Sequence, residues 1–178
     1  MKSLKYIATL LIVVLVLSAC SNNKSLYSDD GQVFRKVITQ DISTLDTALI
    51  SDAVSGDIAG QAFEGLYSID KGDKVTLGVA KEMPKKSNGG KTLTINLRKN
   101  AKWSNGDPVT ADDFVYAWRK VVDPKTASEF AYIMSDIKNA DLVNSGKKPV
   151  SELGIKALDK YKLQVELEKP VPYINELL

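Results

Sequence analysis

Apolar and polar positions alternate most strictly in two stretches of the chain. In KTLTINLR, Lys91 to Arg98, the side chains of Leu93, Ile95 and Leu97 fall on one side and those of Thr92, Thr94, Asn96 and Arg98 on the other. That period of two is the mark of a half-buried antiparallel strand. The preceding Ser87, Asn88, Gly89 and Gly90 supply the positive φ angles of a tight turn, so the strand is expected to pair with the segment before it. The same alternation recurs in Gly154 to Leu158 and in Lys162 to Leu167, on either side of Asp159 and Lys160, and predicts a second hairpin.

Between the hairpins the period lengthens. Phe114, Val115, Trp118, Val121 and Val122 share one face of a helix predicted over Ala111 to Val122. Thr110 stands where a cap is needed, Asp113 completes an approximate capping box, and Asp123 with Pro124 halts the helix. Here Trp103 and Trp118 read as core residues, and Asp112 and Asp113 as cap acids. A second helical pattern, weakened by Gly56 and Gly60, runs from Asp52 to Phe63 through Val54, Ile58, Ala59 and Ala62, after a loop bracketed by Asp46 and Asp52. A third is expected near Phe130 to Val143. Strands are expected at Gln32 to Thr39 and at Leu66 to Ile69, the latter leading into a turn over Asp70 to Asp73. Strands and helices in segregated runs argue for the α+β class.

The N-terminus follows a different pattern. Lys2 and Lys5 precede an apolar run from Tyr6 to Leu17, shorter than the roughly 20 residues a spanning helix needs, and this favours an export signal. It closes on Leu17, Ser18, Ala19 and Cys20, which resembles a bacterial lipobox. The resemblance implies cleavage before Cys20 and a diacylglyceryl group on its sulfur. Two or more acyl chains hold a protein stably on a bilayer. The expected organisation is a signal peptide over 1–19, a flexible lipid-anchored tether over 20–30, and a folded body over 31–178.

Removing residues 1–19 takes away two lysines and no acids, which leaves 22 basic residues against 22 acidic ones. A neutral body gives no electrostatic case for nucleic acid. The chain has no histidine, so imidazole bases and histidine-ligated zinc are excluded. With Cys20 acylated no thiol is left for disulfides or metal, and nothing in the sequence approximates a nucleophile beside a base. No enzyme, metal or cofactor is expected beyond the lipid on Cys20.

The string LRKNAKWSNGDPVTADDFVYAWRKVVDPKTAS, Leu97 to Ser128, resembles the signature region of the family 5 extracytoplasmic solute-binding proteins, the oligopeptide-binding subunits of ABC importers. Ser43 to Tyr67 is similar to that family's first helix and its Phe-Glu-Gly-Leu turn, and Glu152 to Leu178 to a later hairpin. The resemblance implies part of a two-lobed fold, the start of the first lobe with its small subdomain, in a chain shorter than the family's members. It implies oligopeptide ligands held between lobes through their own backbone, importer permease subunits as partners, a monomer, and a place outside the cytoplasm on the outer face of the cell membrane. It also gives peptide contacts to Ser51 and Ala53, and to Phe130, where a tyrosine is familiar in the family. From the residues alone, Ser51 and Ala53 fit a plain loop and Phe130 a core aromatic. With only part of a cleft, the chain is expected to bind peptide weakly. The competing function is a surface lipoprotein used for adhesion or regulation rather than transport.

Overall fold

The computed structural model describes residues 36–178. The signal segment, Cys20 and the tether lie outside the described residues, as does the first half of the strand expected at Gln32 to Thr39; its second half, residues 36–39, does not form a strand. The chain divides into two units, Met1–Ile38 and Thr39–Leu178. In chain order the elements of the second unit are helix α1 (Ala53–Ala62), strands β1 (Tyr67–Ile69), β2 (Val75–Leu77), β3 (Lys85–Ser87) and β4 (Thr92–Asn96), helices α2 (Ala111–Val122) and α3 (Ala140–Asn144), strands β5 (Ile155–Asp159) and β6 (Lys162–Glu166), and helix α4 (Ile174–Leu177).

The two expected hairpins form, and the structure fuses them. β4 pairs antiparallel with β6, which gives one four-stranded sheet in the order β3-β4-β6-β5. The register sets Leu93 opposite Val165 and Ile95 opposite Leu163. Because alternating residues share a face, this pairing gathers all four on one side, where each is fully buried. Burying such a side chain contributes about 1.5–3 kcal/mol, so these positions anchor the core. The turn between β3 and β4 uses the left-handed conformations foreseen for it, with φ of 50° at Asn88, 61° at Gly89 and 86° at Gly90.

Helix α2 has the bounds its sequence pattern predicts. The Asp113 carboxylate accepts from the Thr110 backbone N–H at 2.7 Å and from its hydroxyl at 3.0 Å, closing the capping box. Ala111, Val115 and Val122 are buried, and Phe114 and Trp118 pack beside them, half-buried. The Ala111 N–H donates to the Lys160 carbonyl at 2.9 Å, which ties the helix start to the β5–β6 turn. Trp103 departs from expectation: it is 42% exposed, in a surface turn whose ends are joined by the Lys102–Pro108 bridge. A turn of polar residues has no second layer to cover the indole.

The helix expected near Phe130 to Val143 is broken. A 3-10 turn over Ala131–Met134 is followed by a bridge between Ile137 and Leu167, a left-handed Asn139 (φ 65°) and only then α3. Edge pairing takes the backbone that a helix would have used. Lys138 N–H donates to the Glu166 carbonyl at 2.9 Å, and Gly154 N–H donates to the Lys138 carbonyl at 2.8 Å. Gly154 permits this approach, since a Cβ there would lie 2.7 Å from the Lys138 Cβ.

β1 and β2 form a separate antiparallel hairpin, turned at Asp70, whose carboxylate accepts from the N–H groups of Gly72 and Lys74, and at Asp73 (φ 57°). The apolar face expected on α1 is only partly covered. Ser55 and Ala59 are its buried members, whereas Ala62 and Phe63 are exposed.

Candidate functional site

The loop before α1 is built by side chains rather than by strand pairing. At its far end Asp52 caps the helix, accepting from the Ser55 N–H at 2.8 Å. The same carboxylate accepts from the Ser43 hydroxyl at 2.5 Å and from the Gln40 amide at 3.1 Å, and the Ser43 N–H donates to the buried Ser55 hydroxyl at 3.0 Å. The Ser43 hydroxyl, followed by the Ser55 N–H, holds the Asp52 carboxyl well below the usual carboxylate range.

At its near end Asp46 forms a compact turn. Its carboxylate accepts from the Ala48 N–H at 3.1 Å, while its carbonyl accepts from Leu49 and Ile50 N–H groups at 2.8 and 3.1 Å. The remaining carboxylate oxygen, Oδ2, lies 2.6 Å from Lys120 Nζ on α2. That hydrogen bond is the main reason the Asp46 carboxyl is lowered and the Lys120 ammonium raised. The two bracketing acids therefore have different duties: Asp52 closes the loop on itself, and Asp46 joins it to the body.

Ser51 and Ala53 flank the cap residue Asp52 and are both exposed; Ser51 ends the loop, while Ala53, read from the sequence as loop, is the first residue of α1 because the Asp52 cap starts the helix there. Phe130 is 39% exposed, not a core residue, and stands at the start of the 3-10 turn. Its ring meets Tyr132 at 5.9 Å between centroids, tilted by 43°. Tyr132, 64% exposed, is an aromatic that the sequence pattern did not single out. Lys120 and Asp46 were missed as a pair because 74 residues separate them. The bracketing of the loop by two acids was the one signal pointing there.

Two clefts lie elsewhere. One of about 730 Å³ opens beside the ends of β4 and β6, among Lys81, Arg98, Lys99, Tyr161 and Lys162. The other, of about 170 Å³, lies by Arg119, Asn139 and Gly154. Neither is lined by Ser51, Ala53 or Phe130. Among the described residues no group of three or more His, Cys, Asp or Glu side chains is gathered to hold a metal ion.

The body of sheet and helix thus carries an exposed loop braced by its own side chains. Residues 74–178 match the family model described as bacterial extracellular solute-binding proteins, family 5 Middle, and the chain belongs to that family. It is 39% identical over 181 residues to the dipeptide-binding protein of Lactococcus lactis subsp. cremoris, a match covering 100% of this chain and 32% of that protein. Among solved structures, the substrate-binding domain of an oligopeptide ABC transporter from Bacillus anthracis is 51% identical with a TM-score of 0.76, over 79% of this chain and 27% of the other. Listeria monocytogenes OppA bound to peptide is 48% identical with a TM-score of 0.71, over 73% and 26%. The chain thus spans about a third of the length of the curated relatives it matches, and its α+β fold corresponds to part of these binding-protein structures.

Proposed function

We propose that the chain serves as the substrate-binding component of an oligopeptide ABC importer, held at the outer face of the cell membrane by a diacylglyceryl group on Cys20. It captures peptides outside the cytoplasm and hands them to the permease subunits, as a monomer and without catalysing a reaction. The observation that carries this reading is the family membership over residues 74–178, supported by relatives named for dipeptide and oligopeptide binding. Ser51, Ala53 and Phe130 are the peptide contacts: all three side chains reach solvent, Ser51 in a loop whose shape is fixed before ligand arrives and Ala53 at the start of the helix that follows it. Fixing a loop in advance lowers the entropy lost on binding. A ligand held by its own backbone tolerates many side chains, which suits peptide uptake.

On this reading residues 39–178 supply one wall of the site, since the chain covers 32% of the dipeptide-binding relative, and that wall taken alone associates with peptide weakly. Calorimetric titration of residues 20–178 with mixed tri- to pentapeptides tests the reading. Heats that saturate only at millimolar peptide, and that shrink in Ser51→Trp, support it. No heat even at millimolar peptide overturns the assignment of these contacts, and micromolar or tighter binding overturns the single-wall argument. Labelling of cells with radioactive palmitate checks the anchor, since label must be lost in Cys20→Ser.

A further inference from the structure

We propose that Lys120 is a positioning residue that fixes where the Ser43–Asp52 loop sits on the body, and thereby where Ser51 and Ala53 are presented; this rests on the peptide-binding reading. The geometry separates two tasks. Within the loop, Ser43, Asp52 and Ser55 hold one another at 2.5–3.0 Å, and the Asp46 turn is closed by its own backbone. These bonds set the loop's shape without reference to α2. Lys120 projects from the last turn of α2, a helix anchored at its other end by the Ala111–Lys160 bond, and its Nζ reaches the Asp46 carboxylate at 2.6 Å.

Asp46 is the hub of its turn, since the Ala48, Leu49 and Ile50 N–H groups all converge on it. A tie made at the hub governs the orientation of the whole loop. Both charged groups are about one-third exposed, so salt weakens the tie and its effect on global stability is small. Its consequence is directional. Without it the loop keeps its internal bonds but is free to pivot.

The experiment uses the full chain in a Cys20→Ser background, with nitroxide labels on Thr47→Cys in the loop and Asp112→Cys at the start of α2, both exposed positions. Pulsed electron resonance reads the distance between them. One narrow distance peak is expected with Lys120 present. Lys120→Met, whose side chain is an equally good helix former, loses that peak to a broad or split distribution, and Lys120→Arg restores it. The exchange Asp46→Lys with Lys120→Asp also restores it in part, which separates a charge tie from a packing effect. A peak that stays narrow in Lys120→Met overturns the proposal, and so does broadening that Lys120→Arg fails to reverse.

A second readout on unlabelled protein tracks the Ser51 and Ala53 amide resonances as a tripeptide mixture is added to millimolar concentration. Their shifts should be several-fold smaller in Lys120→Met and recover in Lys120→Arg. Equal shifts in Lys120→Met and the unaltered chain overturn the positioning role. If even the unaltered chain shows no shift, the peptide reading fails, and the distance measurement alone decides whether Lys120 fixes the loop.

Discussion

The Cα of Gly78 lies against the carbonyl of Gly65, so closely that a Cβ at position 78 would overlap that oxygen and stand 3.2 Å from the Leu66 carbonyl. The approach is held by backbone bonds, from Gly78 N–H to the Leu66 carbonyl at 3.1 Å and from Val79 N–H to the Gly65 carbonyl at 2.9 Å. Gly78→Ala is therefore expected to destabilise the fold by about 1–3 kcal/mol, the usual cost of forcing an extra carbon into a filled site. Gly60 is the contrasting case, in the body of α1 with nothing within 4 Å of the position its Cβ would take. Gly60→Ala should stabilise by about 0.4–1 kcal/mol by restricting the unfolded chain. Urea denaturation of both variants should move the midpoints in opposite directions.

Leu163 is fully buried opposite Ile95 at the centre of the sheet. Truncation to alanine removes apolar contact and leaves a cavity, a loss of about 2–5 kcal/mol. Leu158, on the same hairpin but 47% exposed, should tolerate the same change to within about 0.5 kcal/mol. A comparable loss from both, measured by chemical unfolding, would contradict the placement of the core.

Asp52 gives the fold a dependence on acid. Its carboxyl is held below the ordinary value in the folded chain, chiefly by the Ser43 hydroxyl. A depressed folded value means the ionised form supplies stability above the ordinary value of 3.8, and that this stability is lost as pH falls below it toward the folded value. Asp46 and Glu166 are lowered in the same direction by Lys120 and Lys138. Asp52→Asn should lower stability at pH 7 and flatten the decline below pH ~4. Amide exchange in α1 should speed several-fold in the variant, because the Ser55 N–H loses a charged acceptor. A decline as steep as that of the unaltered chain would show that Asp52 is not the source of the acid dependence.

Tyr67 predicts behaviour at the opposite extreme. Burial, followed by the nearby Glu82 charge, pushes its phenol up to about 12, and its hydroxyl donates to the Glu82 carbonyl at 3.1 Å. Spectrophotometric titration should show a tyrosine ionisation near pH 12 that is absent in Tyr67→Phe. Since the folded state favours the neutral phenol, this group makes the fold lose stability as pH rises above 10.0, its ordinary value.

Elements set by short-range pattern were legible in the sequence. The alternation of Leu93, Ile95 and Leu97 gave β4, and Thr110, Asp113 and Pro124 marked both ends of α2. Phe130 to Val143 was misread because its apolar spacing suits a helix, while its backbone partners, Glu166 and Gly154, lie far along the chain. Of the candidate contacts, Ser51 lies in the loop as its residue type suggests, whereas Ala53, read as loop, is the first residue of α1; both are exposed. Phe130 as a core aromatic does not survive its exposure, and neither does Trp103.

By itself the sequence determined the local elements, the caps and turns that bound them, the α+β class, and the resemblance to a solute-binding family. Period, capping chemistry and the conformations open to glycine and proline act over a few residues, so they can be read in order along the chain. Only the tertiary structure decided that two hairpins become one sheet through β4 and β6, that Ile137 and Lys138 leave the helix for a strand edge, and that Lys120 reaches Asp46. Those outcomes depend on which distant groups compete successfully for one backbone or one charge, and that competition exists only after the chain has folded.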